Sequence, residues 1–465
     1  MQKIKSINPA TEEVIEEIEV DSLEKVKESV KNARKAFPNW SKTSIDERIE
    51  WMKKLIPIIE QRRQELADTI TKEMGKPISM SINEPLGVIS EINFYSKNIK
   101  EFLKEEVVFE NEEEKDILVY EPLGVVAIIT PWNFPIATVF SPLIPALLCG
   151  NTIVLKPSEQ TLIVGKKIND LFIELESKGF PKHVFNLILG GKETGKQLVQ
   201  QDVDMVTFTG STRAGKEIMK DSANKIHKLL LEMGGKDPAI VCSDADIDFA
   251  AKSIVRNACR NTGQVCCAIE RVYVKDDIYD QFVKKAVEEA KAIKVGNPEK
   301  QETEMGPFVA KFQEEICIDH INDAKKKGAK IEFGGNKAEN KGYFFEPTII
   351  TNVNNNMKVM TDETFGPVVP IMKVNSLDEA IKYSNNSVYG LTGSVWTKNI
   401  EKGNKIAHKL QVGVAGVNAH GGGAQGSAWG GVKESGLGRL GTKEGTHEFT
   451  NVKTLRIKKI IKTNY

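Results

Sequence analysis

The chain has 465 residues, with 64 Lys plus Arg against 64 Asp plus Glu, and is 40% hydrophobic and 28% charged. This is ordinary globular composition with ample apolar material for large cores, and at roughly 150 residues per domain it suggests about three domains. The zero formal net charge lacks the basic excess of a protein that works by holding nucleic acid, so a small molecule or another protein is the expected partner.

No apolar run follows the amino-terminal lysines, so no secretory signal is expected. The six cysteines form no CxxC pair, and the six histidines show no zinc spacing. That excludes a disulfide or zinc scaffold and points to a reducing, cytoplasmic setting without a metal.

In chain order, the first hundred residues look helical. Leu23, Val26, Val30, Ala33 and Phe37 recur at helical spacing, and similar patterns fall around 46–73 and 79–105. NEEEKD at 111–116 reads as the turn of a hairpin between EEVVFE and ILVYEP. From Pro122 to Leu155 there is no charged residue, which imitates a membrane span of about 20 apolar residues. Pro131, Pro135, Pro142 and Pro145, with Asn133 and Asn151, interrupt it. Each proline removes a backbone donor and blocks a helical turn, so the expectation is a buried strand, a polar loop, a buried helix and a second strand, with no membrane contact.

Apolar β-type runs follow at 124–130, 152–156, 184–189 and 205–209, with helical stretches such as 160–178 between them. That alternation predicts parallel βαβ units, whose ligands sit at the carboxyl ends of the strands. A second α/β region runs from about 237 to 418, with strand candidates PAIVC, RVYV, KIEFG and GVAGVN and helices at 277–292, 311–327 and 399–410. The β-runs at 116–120 and 449–460 are expected to offer free edges to another subunit.

Several residues have the chemistry of a site. Cys266 in NTGQVCCA follows Gly263, which lets the backbone turn tightly and aim a thiol into a cleft. Cys267 has the same local claim, and both also read as structural cysteines. Glu232 in LLLEMGGKDP ends an apolar run, where partial desolvation raises a carboxyl towards a useful general base; an exposed element-end glutamate is the plainer reading. Asn133, between two prolines in PWNFP, is either a turn residue or a rigidly held amide aimed at a developing oxyanion.

Lys156 and Glu159 follow a β-run and suit ribose or phosphate, while Gly210 and Ser211 follow another and open a helix, where backbone N–H groups favour a pyrophosphate. Ordinary loop chemistry at strand ends is the alternative for both pairs. The GxGxxG in SGLGRLG (435–441) follows no clear strand and reads as a tight loop.

Taken together, PWNFP, LKPSE, FTGSTRAG, LEMGGKDP, NTGQVC, ETFGPV and WGGVKESGLGR, in this order over nearly the whole chain, resemble the aldehyde dehydrogenase superfamily. The resemblance implies that Cys266 attacks an aldehyde as a thiolate. Asn133 and the Cys266 N–H then hold the oxyanion, and Glu232 activates the water that hydrolyses the thioester. It implies NAD or NADP as cofactor, because no side chain accepts hydride, with contacts from Trp132, Lys156, Ser158, Glu159, Gly210, Ser211, Glu363 and Phe365. Glu159 leans the choice towards NAD, since a carboxylate repels a 2′-phosphate.

The implied fold is α/β, in three parts: a Rossmann-like cofactor domain (1–106 and 125–234), a catalytic α/β domain (235–445) and a β-flap (107–124 and 446–465) that builds a homo-oligomer, dimer or tetramer. Within the superfamily the chain looks most like bacterial and archaeal succinate-semialdehyde dehydrogenases. Arg260, six residues before Cys266, matches an arginine that binds the substrate carboxylate there. Ser141 stands where a second arginine would be expected, and AWGG replaces the usual PFGG at 428–431. A glyceraldehyde or lactaldehyde dehydrogenase is the enzymatic alternative. A non-catalytic structural member of the fold is the alternative of another class, and the intact set Cys266, Glu232 and Asn133 argues against it.

Overall fold

The computed structural model describes residues 2–338 and 341–459. Two large sheets carry the molecule. The first, the cofactor sheet, runs in the order Gly436–Leu437, Lys228–Met233, Met205–Gly210, Val125–Ile129, Thr152–Lys156, Phe185–Leu187. Its strands are parallel except for the short Gly436–Leu437, which pairs antiparallel with Lys228–Met233. Every residue of Val125–Ile129 and Thr152–Lys156 is buried, as uninterrupted apolar strands require when helices cover both faces. From Val125–Ile129 the chain steps outward to Thr152–Lys156 and Phe185–Leu187, then returns to Met205–Gly210 on the other side. The strand order thus reverses beside Val125–Ile129, the place where open parallel sheets leave a crevice.

The second, catalytic sheet has seven strands, Lys330–Phe333, Thr348–Thr351, Val368–Val374, Ile269–Lys275, Asp237–Val241, Thr392–Trp396 and Val414–Val417, in that order. Only the outermost Lys330–Phe333 runs antiparallel. The helices are set by local signals. Leu23–Trp40 starts at Ser22, whose side chain accepts from Lys25 N–H, and it buries Val26, Val30 and Ala33 at helical spacing.

The charge-free stretch resolves as expected: strand Val125–Ile129, a loop, the buried helix Ala137–Leu148 with Pro142 and Pro145 inside it, and strand Thr152–Lys156. Among the described residues no helix is long and apolar enough to cross a membrane.

Two expectations change. The amino terminus is not helical from the start: Lys3–Asn8 and Glu13–Glu19 form an antiparallel hairpin, whose alternating Ile and charged residues the helical reading passed over. Of the two runs expected to offer free edges, 116–120 falls in the central strand Glu114–Pro122, while Thr450–Lys458 lies antiparallel on it as an outer strand with Thr450 opposite Pro122. With Glu106–Glu110 they make a three-stranded flap sheet. Residues 460–465 of the expected flap lie outside the described residues.

Candidate active site

A cavity of about 860 Å³ lies between the two large sheets and is lined by residues of both. The cofactor sheet presents its carboxyl ends. Trp132 and Asn133 follow Val125–Ile129, Lys156 ends Thr152–Lys156, and Ser158 and Glu159 come just after it. Gly210 ends Met205–Gly210, and Ser211 caps the helix Thr212–Ala223 by accepting from Ala214 N–H. Glu232 sits near the end of Lys228–Met233. All eight expected cofactor residues line this one cavity: Trp132, Lys156, Ser158, Glu159, Gly210, Ser211, Glu363 and Phe365. They include a buried lysine 3.5 Å from the Glu159 carboxylate and a capped helix start, a donor set that suits the ribose and phosphates of a dinucleotide. Among the described residues no His, Cys, Asp or Glu cluster could hold a metal ion.

The catalytic sheet offers the opposite edge, where chain enters its strands. Cys266 lies just before Ile269–Lys275 and lines the cavity; Cys267 is not part of the lining. The turn before Cys266 is strained: Asn261, Thr262 and Gly263 have φ of 51°, 61° and 73°, and the two non-glycine residues pay in backbone energy for that conformation. A Cβ at Gly263 would lie 2.1 Å from the Gly366 carbonyl carbon, so only glycine fits there. Buried side chains hold the turn in place. Asn261 Nδ2 donates to the carbonyls of Asn133 and Gln264 (both 3.2 Å), Thr262 Oγ1 donates to Gly306 O (2.9 Å), and Gln264 Oε1 accepts from Val309 N–H (2.9 Å).

Asn133 Nδ2 donates to Gln264 O at 3.1 Å, which fixes the amide beside the cysteine turn and leaves one N–H hydrogen uncommitted by that bond. Glu232 is buried, and burial pushes its carboxyl up to about 7 against the pull of hydrogen bonds from Cys266 and Thr209. Its Oε1 makes no hydrogen bond. The Cys266 thiol is held above its ordinary value by the adjacent Cys267 thiol, by burial and by the Glu232 carboxylate.

Glu363 and Phe365 come from the segment entering Val368–Val374. Glu363 Oε1 accepts from Gly235 N–H at 3.1 Å, and burial pushes its carboxyl up to about 8. The Phe365 ring stands edge-on to Trp132, centroids 5.5 Å apart. Two residues outside the sequence reading hold this segment. Lys236 Nζ donates to Glu270 Oε2 at 2.6 Å, and Glu270 in turn accepts from the N–H groups of Thr364 (2.7 Å) and Phe365 (2.8 Å). Both side chains are almost fully buried. Glu270, one of two charges with Arg271 inside the otherwise apolar strand IERVYV, was their available signal, because a charge in a buried strand needs a partner.

Glu91 and Ser141 also line the cavity, on the helices Asn83–Phe102 and Ala137–Leu148. Burial pushes the Glu91 carboxyl up to about 7, opposed by a hydrogen bond with Ser141. Arg260 is exposed and is not part of the lining. Its guanidinium stands 5.6 Å from the ring centroid of Phe134, a residue that does line the cavity. The SGLGRLG segment, read as a tight loop, instead carries the short edge strand Gly436–Leu437 on Lys228–Met233, and Arg439 Nη1 just after it donates to the carbonyls of Gly431 (2.8 Å) and Gly438 (2.7 Å).

A thiol, a desolvated carboxyl and an anchored amide thus share a cavity with a dinucleotide-type donor set. Residues 1–455 match the aldehyde dehydrogenase family model, and the chain belongs to the aldehyde dehydrogenase family. It is 38% identical over 465 residues to human (Homo sapiens) aldehyde dehydrogenase 1A1, covering 98% of this chain and 92% of that protein. It is also 38% identical over 449 residues to the lactaldehyde dehydrogenase of Escherichia coli (strain K12), covering 95% and 92%. Among solved structures, the NAD+ complex of an aldehyde dehydrogenase from Bacillus cereus superposes with a TM-score of 0.95 at 36% identity, covering 99% of this chain and 94% of that one. The fold is the aldehyde dehydrogenase fold, and the chain is an NAD(P)-dependent oxidoreductase acting on aldehydes.

Proposed function

We propose that the chain oxidises a small, uncharged, hydroxylated aldehyde of the lactaldehyde or glyceraldehyde type, through a covalent intermediate on Cys266. Cys266 gives its thiol proton to solvent and, as the thiolate, adds through Sγ to the aldehyde carbonyl. The oxyanion formed is held by the Asn133 amide and the Cys266 N–H, donors of the kind that stabilise charge as it develops. Lys156, Ser158, Glu159, Ser211 and Glu363 would hold NAD or NADP, which would supply the hydride acceptor that no side chain provides. Glu232, raised to about 7 by burial, takes the proton of the water that hydrolyses the thioester. A base of that strength is half-ionised near neutral pH, the range in which general-base catalysis is most effective.

The substrate reading rests on one observation: the lining contributed by the helices Asn83–Phe102 and Ala137–Leu148 carries Glu91 and Ser141 and no basic side chain. The basic residues of the lining, Lys156, Lys192, Lys196 and Arg213, all belong to the cofactor sheet and its helices. A carboxyl at that wall accepts a hydrogen bond from a hydroxyl and repels a second carboxylate. The similarity to a lactaldehyde dehydrogenase supports the same reading. Succinate semialdehyde is the second reading, favoured by Arg260 standing behind Phe134.

The test is kcat/KM for lactaldehyde, propanal and succinate semialdehyde in wild type, Glu91→Gln and Arg260→Gln. A hydrogen bond to a charged group contributes about 1.5–3 kcal/mol, or about 10–150-fold. Glu91→Gln should lose about that factor on lactaldehyde and little on propanal. Equal losses on both remove Glu91 from substrate reading, and a selective loss of succinate semialdehyde in Arg260→Gln supports the second reading.

We also infer a homo-oligomer, dimer or tetramer, built through the flap sheet. Its outer strands expose Val107, Val108, Phe109, Val452, Leu455 and Ile457, apolar side chains that a second copy would bury. Phe109→Asp with Val452→Asp should lower the mass measured by light scattering. A cytoplasmic site of action is part of the proposal, supported by six cysteines that are all free thiols.

A further inference from the structure

We propose that His420 is a positioning residue for the aldehyde oxidation: it ties the backbone beside the nucleophile to the centre of the catalytic sheet, and so sets the aim of the Cys266 thiol and N–H. The inference rests on Cys266 being the nucleophile.

His420 follows the strand Val414–Val417, at the head of the glycine-rich loop HGGGAQGS. Its side chain is 2% exposed. Nε2 lies 3.0 Å from Cys267 O and 3.1 Å from Thr392 Oγ1, and Nδ1 lies 3.0 Å from Ser394 Oγ. Burial pushes the ring down to about 4, so it carries one proton at neutral pH.

The partners decide where that proton sits. A carbonyl only accepts, so Nε2 is the donor to Cys267 O, and Nδ1 must accept from the Ser394 hydroxyl. Ser394 Oγ in turn accepts from Trp396 Nε1 at 3.0 Å. Thr392 donates its hydroxyl to Asp237 Oδ2 and its N–H to Asp237 Oδ1 (3.1 Å), leaving its hydroxyl lone pairs to share the Nε2 proton. The chain of donors therefore runs one way, from Trp396 through Ser394 and His420 to the carbonyl of Cys267. Thr392, Ser394 and Trp396 are alternate residues of one buried strand, so a single face of Thr392–Trp396 holds the imidazole.

On its other side the Cys266 peptide backs onto Gly235, where a Cβ would lie 2.9 Å from Cys266 O. The nucleophile thus sits between a strained turn, a glycine contact and the His420 clamp. Of these the clamp is the one whose loss leaves the backbone free to shift. Misplacement of reacting groups by about 1 Å costs about 100-fold in rate, and releasing the Cys267 carbonyl permits movement on that scale.

The test compares His420→Phe, His420→Gln and Ser394→Ala with wild type and with Cys266→Ala as the inactive control. The readouts are kcat, the pre-steady-state burst rate of NADH, KM for NAD, melting temperature, and the rate at which iodoacetamide alkylates Cys266, followed by peptide mass spectrometry. Phe fills the space and donates nothing. It should lower kcat and the burst rate about 10–100-fold and slow or scatter Cys266 alkylation, with KM for NAD within about twofold. Gln can place an amide N–H near the position of Nε2 and should restore most of kcat.

If His420→Phe keeps wild-type kcat and alkylation, or if Gln and Phe lose equally, the positioning role is overturned. Should His420→Phe fail to fold, Ser394→Ala decides. It leaves the imidazole in place but removes the hydroxyl that keeps the proton on Nε2, so it weakens the clamp: a several-fold drop in kcat at unchanged melting temperature supports the role, and wild-type kcat overturns it. An active Cys266→Ala control would overturn the nucleophile assignment itself, separately from the clamp.

Discussion

The two sheets meet at one cavity but serve it with opposite edges. The cofactor sheet offers the carboxyl ends of Val125–Ile129, Thr152–Lys156, Met205–Gly210 and Lys228–Met233. The catalytic sheet offers the chain entering its strands: Cys266 before Ile269–Lys275, Glu363 and Phe365 before Val368–Val374. At a carboxyl edge, a loop running into a helix presents N–H groups with little help, as Ser211 does. At an entering edge nothing in the sheet orients the side chains, so they need bracing. The structure supplies it with the left-handed turn 261–263, the buried Lys236–Glu270 pair and the His420 contact to Cys267 O. The difference teaches that losing a brace at the entering edge should strike rate, and stability too where the brace is a buried ion pair, whereas changes to the cofactor contacts at the carboxyl edge should strike cofactor binding.

The largest effect that sharpens this contrast is Cys266→Ala, which should abolish turnover while NAD(P) binding by fluorescence titration survives. Cys267→Ala should keep substantial turnover, because its thiol is not part of the cavity lining.

Next is Glu232→Gln. Stopped-flow absorbance should show one burst of NADH and then hydrolysis slowed about 10²–10⁴-fold, the usual range for a general base. In wild type the hydrolytic step should fall as pH drops below about 7, because Glu232 is pushed up to about 7 and only its ionised form accepts a proton. That limb should vanish in the variant.

Smaller again is Lys236→Met. It strands Glu270 without its cation, and breaking a buried pair costs about 3–5 kcal/mol, read as a fall in denaturant midpoint; substituting both partners by apolar residues should cost less.

The smallest is Glu159→Gln at the carboxyl edge. Melting temperature and kcat should hold, and the NADP-to-NAD ratio of kcat/KM should rise several-fold as a carboxylate facing the 2′-phosphate is lost. A large kcat loss here, or a pure cofactor-KM effect in Lys236→Met, would break the contrast.

The same contrast explains what the sequence disclosed. The cofactor sheet was legible because its strands are short apolar runs and its site residues follow them within a few positions: Lys156 closes one run and Ser211 comes just after another. The helix Ala137–Leu148 was readable because prolines and the lack of charge left one arrangement. Cys266, Glu232 and Asn133 were singled out through the order of seven motifs; taken alone, each had a plainer reading.

What stayed hidden joins distant segments. Lys236 meets Glu270 across neighbouring strands, and His420 reaches Cys267 O over 153 positions. Glu91 and Ser141 face the cavity from two helices whose periodicity marks only their buried side. The amino-terminal hairpin was missed because lysines and glutamates alternating with isoleucine satisfied a loose helical reading as well as a period of two. Arg260 could be placed six residues before Cys266, but spacing could not show that the chain turns left-handed between them.

The central claim is that Cys266 carries the acyl group while Glu232 releases it. Its most direct test is to mix Glu232→Gln enzyme with NAD and lactaldehyde, quench in acid within the burst, digest, and map the adduct by peptide mass spectrometry. The account predicts a lactoyl thioester on Cys266, in an amount matching the NADH burst. An adduct on Cys267, or a full burst with no acyl group on either cysteine, would contradict it.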